Sequence, residues 1–149
     1  MGFGSAVAGG FDLNRDGTLD VLIGAPRYNR NGSTAEAGAS YVFLGPFTDP
    51  STRTNPSCTL KHNVAYTHFG TSLAVVGDVD TDGTMEFLVG APDADASGSV
   101  DIGKAYLYHY CQTAGSPEVT LQGEAAGDHF GFSVARARDF CHRTLKSGQ

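Results

Sequence analysis

Residues 12–20 read DLNRDGTLD and run on into VLIGAP; residues 78–86 read DVDTDGTME and run on into FLVGAP. Each nine-residue stretch carries side-chain oxygens at its first, third and fifth positions, a glycine at the sixth and a carboxylate at the ninth. In the first stretch these are Asp12, Asn14, Asp16, Gly17 and Asp20; in the second, Asp78, Asp80, Asp82, Gly83 and Glu86. Carboxylates crowded in this way repel one another. The glycine permits a sharp turn that a Cβ would resist. The pattern asks for a cation at the centre of the turn. For a single copy, a turn whose carboxylates only accept backbone N–H bonds is the competing reading. Two copies in register weigh against it.

Aligning the two stretches aligns what surrounds them. Phe3-Gly4 and Phe69-Gly70 each lie nine residues before the first Asp, and Gly-Ala-Pro follows at 24–26 and at 90–92. The period from Phe3 to Phe69 is 66 residues, and a third Phe-Gly follows 61 residues later at Phe130. The difference falls between GAP and the next FG, where loop insertions belong. The units read as a first repeat over about 3–62, a second over about 69–122 and a third over 130–149. In the third, Asp139 keeps the first position, but Cys141, Arg143 and Ser147 stand at the third, fifth and ninth, so no metal site is expected there.

Each unit reads as short strands. In the second they are expected at 71–76, 87–89, 104–110 and 118–122; KAYLYHY alternates, and ASYVFLG at 39–45 is its counterpart in the first. No stretch carries helical periodicity. Four short strands per unit of this length describe a propeller blade that stacks face to face on its neighbours. The expected fold is all-β: a partial β-propeller over 1–149, with about two complete four-stranded blades and the start of a third.

FG, then DxNxDGxxD or DxDxDGxxD, then GAP, resembles the FG-GAP repeat, which builds the β-propeller head of integrin α subunits. It is similar also to the repeats of glycosylphosphatidylinositol-specific phospholipase D. The resemblance implies calcium at two sites. Asp12, Asn14, Asp16, the Thr18 carbonyl and Asp20 would hold one ion; Asp78, Asp80, Asp82, the Thr84 carbonyl and Glu86 would hold the other. Calcium takes six to eight oxygens at about 2.3–2.6 Å, which such a loop supplies. An EF-hand is excluded, because its twelfth position needs a bidentate Glu and here holds Ile23 or Val89. Glu86 departs from the usual Asp, and its extra methylene reshapes the second shell.

The charge agrees with two focal sites. The net charge is −6, and seven of the sixteen acidic residues lie in the two loops; without them the chain would stand at about +1. There is no basic stripe, so nucleic acid is not an expected partner. The apolar runs are too short for membrane insertion. No GxSxG, HExxH or P-loop is present, so no enzyme is expected. His62, His68, His109, His129 and His142 are scattered, and His109 reads as a packed strand residue. Three cysteines leave either a Cys58–Cys111 disulfide or three partly buried thiols. Asn31-Gly32-Ser33 fits a glycosylation acceptor.

What the resemblance implies is an extracellular or cell-surface, non-catalytic module for cell adhesion that binds a protein ligand or partner subunit. The alternatives are an accessory propeller of a secreted hydrolase, or a purely structural fragment. The start MGFGSAVAGG has no signal-peptide pattern, which implies missing N-terminal sequence. The abruptly basic tail ARARDFCHRTLKSGQ fits a truncated or mis-spliced product, a hypothesis that a transcript in frame through Gln149 to a stop would overturn. Propellers close with about four to eight blades. Further blades, or copies of the chain, are therefore needed to cover its open faces. Light scattering of the isolated chain at high concentration should show oligomers; a monodisperse monomer contradicts this.

Overall fold

The computed structural model describes residues 2–30, 32, 34–48, 55–96, 98–110 and 116–136. Cys111, Cys141, Asn31 and Ser33, and the stretch 137–149 with Asp139, lie outside them. The first four strands are β1 (Ala6–Phe11), β2 (Asp20–Ala25), β3 (Ala39–Phe43) and β4 (Cys58–Lys61). The next four are β5 (Ser72–Gly77), β6 (Glu86–Ala91), β7 (Lys104–Tyr108) and β8 (Val119–Gln122). They form two antiparallel meanders, β1-β2-β3-β4 and β5-β6-β7-β8. No helix occurs among the described residues. The sheets do not close into a ring, and the molecule is a partial β-propeller of two blades.

The acidic stretches are the hairpin loops that join β1 to β2 and β5 to β6. Both hairpins carry a register shift at the same place, between Gly9 and Phe11 and between Val75 and Gly77. The bulge turns the end of the first strand into the loop. The ninth loop residue, Asp20 or Glu86, is also the first residue of the second strand. β7 ends at Tyr108, shorter than the alternation of KAYLYHY predicts, because Phe87↔Tyr108 is the last pair of its ladder with β6.

The core lies between the blades. Leu13, Leu22, Val42 and Leu60 of the first unit meet Phe69, Val75, Phe87, Val89, Tyr106 and Tyr108 of the second. Phe69 is the wedge. Its ring stacks on His62 at 5.6 Å and meets Tyr106 at 5.6 Å and Tyr108 at 6.0 Å. Burying such a ring is worth about 1.5–3 kcal/mol. Phe3 and Phe130, its counterparts at the two ends, are exposed. Among the described residues, Phe69 alone of the three has a blade on each side.

Backbone contacts that only glycine allows hold the wedge in place. A Cβ on Gly24, of the first GAP, would lie 2.1 Å from the carbonyl oxygen of Gly70. A Cβ on Gly90, of the second GAP, would lie 1.9 Å from that of Gly131. The N–H of Gly4 donates to the Gly24 carbonyl at 2.9 Å, and that of Gly70 to the Gly90 carbonyl at 2.9 Å. The FG glycine thus bonds to its own unit's GAP and abuts the GAP of the unit before. The residue ahead of each Phe-Gly also repeats: His68 and His129 both bond to Asp93, and His68 bonds to Glu36 at 2.7 Å. The bond with His68 holds the Glu36 carboxyl below its usual range.

Gly24→Ala should destabilise the chain by about 1–3 kcal/mol, the cost of forcing a methyl into filled space. Gly9→Ala is the control. Its Cβ would meet Val21 and Asp20 only at 3.5 and 3.6 Å, so its stability should stay within about 1 kcal/mol of the parent. Urea midpoints measure both, and equal midpoints would contradict the account.

Candidate metal centre

The two loops share one backbone. Their fourth residues, Arg15 and Thr81, have φ of 57° and 65°; their sixth, Gly17 and Gly83, have 88° and 105°. In loop one, Asp12 accepts the N–H groups of Asp16 at 3.0 Å and Gly17 at 2.9 Å. Asp16 accepts the N–H of Thr18 at 2.8 Å and also its hydroxyl. Asn14 donates its amide to Asp16 at 2.9 Å. The Thr18 hydroxyl is the main reason that the Asp16 carboxyl lies below its usual range. Asp20 is 1% exposed, and both its oxygens are used. One accepts the Leu13 N–H at 2.7 Å and the other the Gly45 N–H at 2.9 Å.

Loop two repeats the turn but not its closure. Asp78 accepts the Gly83 N–H at 3.2 Å, Asp80 that of Asp82 at 3.1 Å and Asp82 that of Thr84 at 2.8 Å. Glu86 accepts the Val79 N–H through Oε2 at 2.6 Å, as Asp20 accepts that of Leu13. Its other oxygen, Oε1, has no hydrogen-bond partner, although Glu86 is 0% exposed. Burial pushes the Glu86 carboxyl above its usual range. Oε1 faces Nδ1 of His109 at 3.4 Å. The register explains this neighbour. Val21 pairs with Phe43 and Phe87 with Tyr108, so the next residues, Leu44 and His109, occupy equivalent places. The second unit replaces an Asp and a Leu by a Glu and a His at two sites that touch.

The sequence reading of His109 is borne out in its packing and corrected in its placement within a strand. It lies beyond the end of β7, its side chain is 13% exposed, and it points into the acidic loop. Among the described residues, Asp80, Asp82, Glu86 and His109 form a group whose ligand atoms all lie within 4.8 Å of one another. Asp78 has a further partner: Nη2 of Arg15, from loop one, donates to its Oδ2 at 2.6 Å, while its Oδ1 is buried without a hydrogen-bond partner. Neither His109 nor Arg15 is visible in the loop pattern. The signal for His109 was the paired change from Asp20 and Leu44 to Glu86 and His109, legible only once the two hairpins are in register.

A family model described as the FG-GAP repeat matches residues 3–43 and 69–108. The chain belongs to the FG-GAP repeat family, and its two blades are those repeats. It is 36% identical to mouse integrin alpha-3 over 145 residues, which is 92% of this chain and 13% of that protein. It is 35% identical to human integrin alpha-IIb over 144 residues, again 92% of this chain and 13% of the relative. Human integrin alpha-6 is 32% identical over 130 residues, 86% of this chain and 10% of that one. The chain thus spans about an eighth of the curated relatives it matches, and it is similar to part of the integrin α propeller.

Asp20→Asn should lower stability by about 1–3 kcal/mol in EDTA, because an amide NH2 must then face a buried N–H donor. The urea midpoint reports it. An unchanged midpoint would mean that the two backbone bonds do not hold the hairpin.

Proposed function

We propose that this chain is part of a calcium-binding, non-catalytic β-propeller module at the cell surface or outside the cell. Calcium would be held at two sites, by Asp12, Asn14, Asp16, Thr18 and Asp20 and by Asp78, Asp80, Asp82, Thr84 and Glu86, with the two threonines contributing carbonyls. The observation that carries this reading is the second loop, where ligand atoms converge around a fully buried Glu86 with an unpartnered oxygen. A cation is the natural complement of such a group, since an uncompensated buried carboxylate is costly. Loop one has the same backbone, and its carboxylate oxygens keep further lone pairs for a cation.

The ion would stiffen the blade rather than touch a ligand, because each loop closes a hairpin whose ninth residue begins the next strand. The similarity to integrin α chains supports protein binding in cell adhesion, with a protein ligand or partner subunit. Calcium loops of extracellular modules bind at about 0.1–1 mM, which suits that location. The repeats are taken as about 3–62, 69–122 and 130–149. The exposed Phe3, Phe130 and Phe132 mark blade faces that further blades or copies would cover. No helix of the described residues is long and apolar enough to cross a membrane.

A thermal melt in EDTA and in about 2 mM calcium tests the reading. For sites of about 0.1 mM affinity, each should add roughly 1.8 kcal/mol. The upward shift should vanish in the double variant Asp16→Ala, Asp82→Ala. A cooperative melt indifferent to calcium would reduce both loops to turns.

A further inference from the structure

His109 gives loop two a donor that loop one does not have, and its surroundings set which ring nitrogen is available. The Thr84 hydroxyl donates to Asp82 Oδ1 at 2.9 Å, so its oxygen is left to accept from His109 Nε2, at 2.6 Å. Asp82 Oδ2 lies 3.0 Å from the same nitrogen and can only accept. This network assigns the ring hydrogen to Nε2. In the neutral ring Nδ1 is then a bare lone pair, buried and without a hydrogen-bond partner. It faces Glu86 Oε1 at 3.4 Å, Glu118 Oε1 at 3.4 Å and Asp80 Oδ2 at 3.9 Å. A lone pair opposed by carboxylate oxygens is repulsive unless a proton or a metal cation lies between them. A histidine whose other N–H is fixed by a hydroxyl and a carboxylate is also the usual arrangement of a metal-ligating imidazole.

We propose that loop two is a mixed nitrogen–oxygen centre for a transition-metal dication of the zinc class, with His109 Nδ1, Glu86 Oε1 and Asp80 as its ligands and Asp82 holding the ring through Nε2. The inference rests on loop two being a metal site, and it changes the ion and the ligand set. Asp78, the first position of the loop, is not among the residues grouped around His109; Arg15 holds its Oδ2, and its Oδ1 is buried without a hydrogen-bond partner. Calcium favours six to eight hard oxygens, whereas imidazole suits zinc and its neighbours. The spacing agrees. Tetrahedral zinc with bonds of about 2.0–2.2 Å sets adjacent donors roughly 3.3–3.6 Å apart, and His109 Nδ1 stands 3.4 Å from Glu86 Oε1. Unit one lacks the nitrogen donor, because Leu44 stands at the register position of His109.

Calorimetric titration of the full metal-free chain with zinc chloride and with calcium chloride tests this. The expected result is one His109-dependent zinc site that binds more tightly than calcium does at the same loop. His109→Leu, which installs unit one's residue, should remove it. Calcium binding that depends on Asp16 should be unchanged. A second readout needs no mutation: at constant pH, zinc should shift the 15N resonance of His109 Nδ1. Zinc binding indifferent to His109→Leu, or a ring resonance that zinc leaves unmoved, overturns the proposal. Calcium bound at both loops with zinc a weak competitor overturns it too, but leaves the calcium reading intact. No cation at either loop would remove both.

Discussion

The structure depends on a contact between two backbones. Gly24 and Gly70, and again Gly90 and Gly131, approach so closely that any side chain would strike a carbonyl. This contact sets the distance between blades and therefore the depth of the slot that receives Phe69. It also explains why the two short motifs travel together although some twenty residues separate them. FG and GAP are the two halves of one joint, which forms at Gly24 and Gly70 and again at Gly90 and Gly131.

The acidic loops stand at the other end of the same hairpins. The ninth residue of each is both the last loop position and the first residue of a strand, so the loop and the sheet share an atom-level hinge. In loop one that residue is wholly occupied with the backbone, through Leu13 and Gly45. In loop two the longer Glu86 keeps the first of these bonds and leaves its second oxygen to His109. Arg15 then ties loop one to Asp78 of loop two across the blade interface. The two loops are thus electrostatically coupled, and they are not equivalent despite their common backbone.

The strands were legible almost as they stand. The reading of 71–76, 87–89, 104–110 and 118–122 meets β5, β6, β7 and β8, with the main difference at His109 and Tyr110, beyond the last paired residue of β7. Alternation continues into a loop whenever polar and apolar residues happen to alternate there, because it records no hydrogen bonds. His109 was missed for a related reason. Its partners at Asp80, Asp82 and Glu86 are more than twenty residues away, and nothing beside it along the chain marks it as their neighbour.

The sequence by itself determined the repeat, the blade as its structural unit and the two acidic turns. All of these are local, written in spacings that glycines and alternating carboxylates enforce on a short stretch of chain. Only the tertiary structure decided which carboxylates converge, which one Arg15 binds, and that an imidazole lies among those of the second loop. Those outcomes follow from the register between β6 and β7 and from the contact between blades, and neither leaves a local mark in the chain.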